Sequence, residues 1–298
     1  DALPISNNGY HDDLLDNERR HRITSSPKEY HKRIYSIPHY SLHMENIIGI
    51  STGSIFRFAQ DNDNAIDMLH ETGTKAIELL TASIDELDHG ISEKNGAYLR
   101  SLDYVSIHAP FNRKGKEPLI YDDDDTTRDV LRKIKALAGM INARHVVIHP
   151  NLVRSWRPIQ ESGLSICVEN MPKKREIPLP FFRELLREHP DLSLVLDTAH
   201  AFTWDDDFIE AFINEFGQNI KQVHLSDRRQ VGERERNHQT ISGCPDLSRY
   251  RSVFSLDCPL MLELNLKGDI DPIKVMKEDL LAVKRATAPG NDAGYTNL

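Results

Sequence analysis

Short apolar runs alternate with longer stretches of mixed polarity along the chain from residue 47 onward. The runs are rich in valine, isoleucine and leucine, and several are apolar on both faces, which is typical of buried parallel strands. Eight runs fit this description and predict strands at 47–51, 75–80, 103–108, 144–149, 164–169, 192–197, 220–225 and 259–264.

Helical periodicity fills most of the intervals between these runs. Residues 126–143 place apolar side chains at helical spacing, after an acidic stretch that favours a helix N-terminus. The stretches 179–189, 206–217 and 271–286 show the same period, whereas the patterns after the second, fourth and seventh strands are weaker. Eight strand–helix units predict a single-domain α/β protein, a (β/α)8 TIM barrel. An open doubly wound sheet is the alternative, but no glycine-rich phosphate motif follows the first strand.

The two ends of the chain differ from this pattern. Residues 1–43 are polar, hold five of the 14 histidines and show no sustained period. We expect a disordered or loosely packed extension there, with a metal-binding tail as the alternative. The barrel is predicted to cover residues 44–286, and residues 287–298 to form a flexible C-terminal tail.

Composition narrows the classes of function. The net charge of −9 gives no global sign of a protein that coats nucleic acid or a membrane surface, although a local basic patch is compatible with it. No run approaches the roughly 18 apolar residues of a membrane span, and no secretory signal is visible at the start. The three cysteines fit neither a disulfide framework nor a CxxC metal site, so we expect a cytoplasmic protein. Cys167 lies within an apolar run and is interpreted as a packing residue.

In a TIM barrel the active site lies at the carboxyl ends of the strands, so the last residues of each predicted strand are candidates for chemistry. The third to eighth strands each carry a histidine or a carboxylate at or near this end. These residues are His108, His149, Glu169, Asp197, His224 and Glu263, with His200 and His238 in the loops after Asp197 and His224. By contrast, His145 begins its strand and His189 precedes a proline, so both are expected to be structural or solvated.

Each candidate alone has a simpler explanation. A single buried histidine is often a hydrogen-bonded core residue, and Asp197 or Thr198 could simply cap the next helix. Together, however, three carboxylates on one rim would repel one another unless a cation lay among them. Imidazole and carboxylate ligands suit zinc, manganese or a similar divalent ion, so we predict a site for one or two ions.

The stretches SIHAP, VVIHP, CVENMP, LDTAHAF, VHLSD, HQTISG and LELN resemble motifs of the xylose isomerase-like TIM-barrel superfamily, over about residues 47–285. That superfamily contains the endonuclease IV DNA-repair enzymes and many isomerases and epimerases of sugars and sugar phosphates. The resemblance implies that a shared metal site is formed by Glu169, Asp197, His224 and Glu263. In epimerase-type members, the residues that match Glu169 and Glu263 also exchange the substrate's proton.

Some residues resemble the endonuclease IV branch of the superfamily, and others resemble the sugar isomerase and epimerase branch. His108 and His149, with Glu169, resemble the additional metal site of the endonuclease IV type. His200 and His238 would be third-metal ligands in that type, and substrate-binding or structural groups in the isomerases. Arg236 stands where the endonuclease pattern has an aspartate ligand, which argues against a third ion, and Glu78 is placed as in the second strand of sugar isomerases.

The predicted rim loops are also rich in basic residues, which points either to solvated loops or to an anionic substrate. They are Arg113, Lys114, Lys116, Arg154, Arg157, Lys173, Lys174, Arg175, Arg228, Arg229, Arg234 and Arg236. Of these, Arg229 and Arg236 are predicted to bind substrate or to lie at the third metal position.

The sequence therefore favours a divalent-metal-dependent isomerase or epimerase that acts on a small sugar or sugar phosphate by carboxylate-mediated proton transfer. The alternative is an endonuclease IV-like phosphodiesterase that acts on abasic-site DNA, and only this alternative requires a nucleic-acid partner. A barrel that binds metal and ligand without turnover is a third class. No membrane partner is expected, and the pattern leaves the oligomeric state open.

Overall fold

The computed structural model describes residues 46–113, 115, 117–205 and 207–288. The predicted extension at 1–43, most of the predicted tail, Lys114 and Lys116 lie outside the described residues, so the predicted domain boundaries stay predictions. Eight parallel strands close into a barrel, which confirms the predicted (β/α)8 TIM barrel.

The barrel strands fall within the eight predicted runs. They are β1 (Ile48–Ser51), β2 (Ala76–Leu80), β3 (Tyr104–His108), β4 (His145–Ile148), β5 (Ile166–Glu169), β6 (Ser193–Asp197), β7 (Ile220–Leu225) and β10 (Leu260–Leu262). They lie in chain order around the barrel, and β10 closes it between β7 and β1. An antiparallel hairpin of β8 (Asp227–Val231) and β9 (Arg234–Gln239), which is not among the predicted elements, follows β7.

Ten α-helices accompany the strands in the described part of the chain. They are α1 (Asn62–His70), α2 (Ile84–His89), α3 (Glu93–Arg100), α4 (Asp125–Ile141), α5 (Arg157–Glu161), α6 (Leu179–Glu188), α7 (Thr198–Ala201), α8 (Phe208–Phe216), α9 (Arg251–Phe254) and α10 (Pro272–Thr287). Short 3₁₀ helices lie at Thr52–Ile55, Pro150–Leu152, Lys173–Arg175, Gly217–Asn219 and Leu247–Tyr250. The three weak helical patterns correspond to short helices. None of the helices in the described ranges has the length and apolar character needed to cross a membrane.

The barrel interior is packed at its lower end and polar at its upper end. Val147, Cys167 and Val195 form one buried cluster inside the barrel, in agreement with the packing role predicted for Cys167. Burial raises the pKa of this thiol to about 12, so Cys167 is a neutral packing group at physiological pH. Above this layer, the strand ends carry the histidines and carboxylates of the candidate site.

Candidate metal centre

The candidate site lies at the carboxyl ends of the barrel strands. His108, Glu169 and Asp197 are the last residues of β3, β5 and β6, while His149 and Glu263 directly follow β4 and β10. His224 is the penultimate residue of β7 and pairs in register with Asp197 on β6. Parallel strands of similar length therefore bring these side chains to one level of the barrel.

Three groups of side chains in the described ranges bring ligand atoms within 4.8 Å of one another. The groups are His108–His149–Glu169, Glu169–Asp197–His224–Glu263 and Asp197–His200–His238. All eight histidines and carboxylates predicted from the strand ends thus fall into these groups. The structure separates His145, at the first residue of β4, and His189, just after α6, from them.

The first group converges on one oxygen of Glu169. The Nε2 atoms of His108 and His149 lie 3.1 Å apart, and they lie 3.5 and 3.2 Å from Glu169 Oε2. The ring of Phe111 stacks on His149 and packs edge-on against His108. Phe111 therefore restricts the orientation of both rings.

The second group surrounds one nitrogen of His224. Its Nδ1 atom lies 3.1 Å from Glu263 Oε2, 3.6 Å from Glu169 Oε2 and 4.0 Å from Asp197 Oδ2. These four atoms are buried and have no hydrogen-bond partner in the described part of the chain. Unpaired buried carboxylate oxygens are costly, and three of them facing one nitrogen fit a bound cation. The four residues thus have the chemistry of a divalent-metal site.

One oxygen of Asp197 caps a helix, and the other faces the second group of candidate metal ligands. Its Oδ1 atom accepts a hydrogen bond of 2.6 Å from the backbone N–H of His200, which caps α7. Its Oδ2 atom makes no hydrogen bond within the described ranges and faces the second group. The helix cap therefore fixes the carboxylate in an orientation that leaves one oxygen for a ligand.

The third group lies at the hairpin side of the rim. His200 Nδ1 lies 3.7 Å from Asp197 Oδ1, and His238 Nδ1 lies 4.0 Å from Asp197 Oδ2. His238 has a left-handed backbone with a φ of 55°, which is uncommon for a residue other than glycine. Its carbonyl accepts a 2.7 Å hydrogen bond from Asn265, and its Nδ1 lies 3.2 Å from Ser226 Oγ. These contacts hold His238 toward the site.

Glu169 links the groups because imidazoles approach both of its oxygens. Oε1 lies 2.9 Å from His200 Nδ1, while Oε2 faces His108, His149 and His224. Burial alone would raise the pKa of Glu169, but His149 and His224 outweigh burial and hold that pKa well below its usual value. Glu169 is therefore an ionised carboxylate that belongs to both the first and the second group.

The pKa values of Asp197 and His200 are raised, in contrast to the lowered pKa of Glu169. Burial raises the pKa of Asp197 to about 6, although His200 and His238 oppose this shift. Burial alone would lower the pKa of His200, but Asp197 and Glu169 outweigh it and raise that pKa to about 9. Without an ion, protons on His200 and His224, whose pKa values are both raised by neighbouring carboxylates, therefore compensate the carboxylates near neutral pH, whereas burial lowers the pKa of His149.

This arrangement predicts opposite effects of pH on the metal-free and metal-loaded protein. The folded pKa of His200, about 9, exceeds its ordinary value of 6.5, so its stabilising contribution is complete below pH 6.5 and is lost as pH rises through 9. We expect the melting temperature of the chelator-treated protein to fall by roughly 2–6 °C between pH 7 and 9.5. The increase in melting temperature on adding Zn²⁺ should grow over the same interval, because bound ligands must be deprotonated. Thermal unfolding with and without Zn²⁺ tests both trends, and parallel pH profiles would contradict them.

Glu78 supports the site from within the barrel. Its Oε2 atom lies 2.9 Å from His224 Nε2 and accepts a 2.6 Å hydrogen bond from Gln222. Tyr104 donates to Gln222 from the next layer, over 2.7 Å. When His224 is neutral, the Glu78 carboxylate favours the imidazole proton on Nε2, which leaves Nδ1 able to act as a ligand. From the sequence, only the resemblance to sugar isomerases singles out Glu78, since nothing in its run of residues shows which ring it contacts.

We expect Glu78→Gln to weaken zinc binding by about 10- to 100-fold without loss of the fold. The amide can still accept a hydrogen bond from His224, but it supplies no negative charge to orient and polarise the ring. Competition with a chromogenic chelator measures the affinity. The exposed Glu93 on α3 offers the matched Glu93→Gln control, and equal affinities for both variants would exclude the support role of Glu78.

Several basic residues of the rim loops have acidic or backbone partners. Arg154 pairs with Asp122, Arg157 pairs with Glu161, and Lys173 lies 3.5 Å from Asp205. The predicted basic surface is thus partly neutralised in the structure.

Arg229 is held within the hairpin region. It lies 3.2 Å from Asp227 and donates to both the carbonyl and the hydroxyl of Thr240. Arg236 makes no ion pair with any described residue. Their predicted contacts with substrate stay predictions, and the structure favours a supporting role for Arg229.

The sequence profile of the xylose isomerase-like TIM barrel matches residues 66–285. The chain belongs to this family. A search of curated proteins finds no match.

Similar solved structures include proteins from both branches of the superfamily. A D-tagatose 3-epimerase-like protein is 20% identical, with coverage of 81% of this chain and 99% of its own and a TM-score of 0.52. Endonuclease IV from Thermus thermophilus is 17% identical, with coverage of 80% and 98% and a TM-score of 0.56. A sugar phosphate isomerase/epimerase from Parabacteroides distasonis is 16% identical, with coverage of 84% and 96% and a TM-score of 0.53. At these identities the likeness establishes the fold alone.

Proposed function

We propose that this chain is a metal-dependent phosphoesterase that hydrolyses a phosphodiester, which the sequence indicates as the alternative to the favoured isomerase or epimerase. The observation that supports it most is the enclosure of Glu169 by imidazoles on both of its oxygens. A carboxylate that abstracts a proton from carbon needs a free oxygen directed at the substrate. Glu169 would instead contribute to two adjacent ligand sets, an arrangement that suits a hydrolytic centre with more than one ion.

Two adjacent ion positions are the centre we propose. His108, His149 and Glu169 would hold one divalent ion, and Glu169 with Asp197, His224 and Glu263 would hold the other. Zinc or manganese suits this ligand set. When bound, such ions polarise the phosphate and neutralise the negative charge that develops during displacement.

The side chains on the open side of the centre define where the substrate would lie. His149, His200, His238 and Glu263 have side-chain exposures of 19%, 13%, 21% and 23%, whereas Glu169 is 1% exposed. Hydrolysis forms a bond from the water oxygen to phosphorus and breaks the bond from phosphorus to the departing alcohol. In this proposal Glu263 would take the proton from water, and His200 or His238 would return one to the departing oxygen.

Hydrolysis of bis(p-nitrophenyl) phosphate tests this function, because it reports on phosphodiester cleavage without requiring knowledge of the natural substrate. We expect release of p-nitrophenol by the Zn²⁺- or Mn²⁺-loaded protein, its loss after chelation, and its recovery on adding the ion back. Glu263→Gln should abolish the activity, and Glu210→Gln, at an exposed position on α8, should not. Absence of cleavage by protein with full metal occupancy would contradict the proposal.

The isomerase or epimerase function is the second candidate, acting on a small anionic sugar. It is favoured by the placement of Glu169 Oε2 and Glu263 Oε2 at 3.6 and 3.1 Å from the same nitrogen of His224. Two glutamates beside one ion suit proton removal and return at a carbon next to a carbonyl. Incorporation of solvent deuterium into a sugar phosphate, without phosphoester cleavage, would favour this candidate over the hydrolase.

A further inference from the structure

His238 lies at an irregular position of the hairpin formed by β8 and β9. The register shifts between Asp227 and Arg229, so two residues of β9, one of them His238, face a single residue of β8. This is a β-bulge, and the φ of 55° at His238 is a left-handed conformation that favours glycine. Bulges near active sites re-aim a side chain, and another residue keeps this conformation only where its surroundings enforce it.

The residues after His238 are fixed by a carboxylate from an outer helix. Asp279 of α10 is fully buried, and it accepts hydrogen bonds from the backbone N–H groups of Ile241 over 2.8 Å and of Ser242 over 2.9 Å. The hydroxyl of Ser242 donates to the same carboxylate. Both oxygens of Asp279 therefore bind the segment that directly follows the hairpin.

The same segment is held from the hairpin side by Arg229. Its guanidinium donates to the carbonyl of Thr240 over 2.8 Å and to the hydroxyl of Thr240 over 2.9 Å. Gly243 leaves space for this arrangement, since a Cβ atom there would lie 2.6 Å from Nη2 of Arg229. Residues 240–243 are thus fixed between α10 and the hairpin, and we call them the anchor segment.

The anchor segment restricts the direction of the His238 side chain, because only one residue separates the two. Nδ1 of His238 lies 3.2 Å from Ser226 Oγ and 4.0 Å from both Asp197 Oδ2 and Glu263 Oε2. The imidazole therefore occupies the open side of the candidate centre. If the anchor segment were released, the backbone at residue 238 could leave its left-handed conformation, and the imidazole would leave this position.

We infer that Asp279 is a positioning residue for His238, although it belongs to an outer helix. It acts through the anchor segment, which maintains the bulge and directs the imidazole of His238 toward the open side of the centre. A carboxylate that only stabilised the fold would not act selectively on one histidine. The inference rests on the proposed phosphodiester hydrolysis, and it adds a residue on which the rate of that reaction depends.

A double-mutant cycle on the full, Zn²⁺-loaded chain tests the inference through hydrolysis of bis(p-nitrophenyl) phosphate. We expect Asp279→Asn to lower kcat/KM about tenfold, because its amide presents a donor to the N–H groups, and His238→Ala to lower it about 10²-fold. The combined variant should equal His238→Ala within about threefold, since Asp279 acts through His238. Independent effects would multiply to about 10³-fold and would overturn the inference.

An NMR spectrum of the Zn²⁺-loaded protein, labelled with ¹⁵N-histidine, tests the positioning without turnover. The imidazole signal of His238 is assigned by its loss in His238→Ala. We expect this signal to shift or broaden in Asp279→Asn, while the signal of His145, at the opposite end of the barrel, stays in place. An unchanged His238 signal in this variant would overturn the inference.

Two further variants complete the experiment. Glu278→Gln, at the exposed neighbour of Asp279 on α10, is the matched control and should equal the unmodified protein in both measurements. If circular dichroism shows that Asp279→Asn does not fold, Gly243→Ala disturbs the anchor segment from the side of Arg229 and should give the same cycle and the same shift. Absence of hydrolysis by the unmodified protein would contradict the proposed function, whereas the NMR signal of His238 would still test the role of Asp279.

Discussion

The Glu169→Gln variant is expected to lose phosphodiester hydrolysis by at least about 10³-fold and to bind fewer ions per chain. Glutamine has the size of glutamate, but its amide nitrogen cannot be a ligand and it carries no charge. Because His108, His149 and His224 approach the same oxygen of Glu169, one substitution removes a ligand from two groups at once. Initial rates with saturating metal, together with elemental analysis of the same sample, measure both effects.

The matched control for this substitution is Glu210→Gln, on the exposed face of α8. It makes the same chemical change far from the barrel interior, so its rate and metal content should equal those of the unmodified protein. Circular dichroism of both variants separates a chemical effect from unfolding. A Glu169→Gln variant that kept its metal and a tenth or more of the rate would exclude a bridging role for this carboxylate.

The second large effect is expected on stability, at Asp227. This aspartate is fully buried, and it lies 3.2 Å from Arg229, 3.5 Å from Arg249 and 2.7 Å from the hydroxyl of Tyr250. Asp227→Ala leaves these groups without their common acceptor, which is costly in a buried position. Because both arginines are partly exposed, we expect the free energy of unfolding to fall by about 3 kcal/mol, at the lower end of the range for breaking a buried ion pair.

Such a loss corresponds to a decrease of roughly 6–12 °C in melting temperature for a domain of this size. Asp227→Asn, which still accepts a hydrogen bond from Tyr250, should lose less than the alanine variant. Asp257→Ala, at an exposed position, is the control and should unfold like the unmodified protein. If Asp227→Ala unfolded within about 1 °C of that control, this aspartate would not anchor the hairpin.

The barrel could be predicted from the sequence because its strands are buried on both faces. Each strand therefore appears as a run of aliphatic residues, and its length is limited by the polar residues at the rim. The hairpin of β8 and β9 was not predicted because its residues are mostly charged. It is stabilised by Asp227 and by the turn at Gly232, which has a φ of 64°, and not by an apolar face.

The residues of the candidate site could be predicted from the sequence, but the contacts between their side chains could not. The strand ends indicated which histidines and carboxylates share the rim, since parallel strands finish at one edge. The enclosure of Glu169 and the orientation of His224 by Glu78 depend on side-chain conformations, and these are set by packing between distant strands. Asp279 was missed because a single acidic residue in a helix has no pattern to distinguish it from a solvated one.

Metal content per chain, in the unmodified protein and in His108→Ala, tests the central claim most directly. Elemental analysis should be done after reconstitution with Zn²⁺ and removal of the excess ion. We expect two or more ions per chain, with one fewer in the variant, because His108 and His149 would hold an ion beside the one held by Glu169, Asp197, His224 and Glu263. A single ion per chain that is unchanged by His108→Ala, or no ion at all, would contradict a centre with two ions.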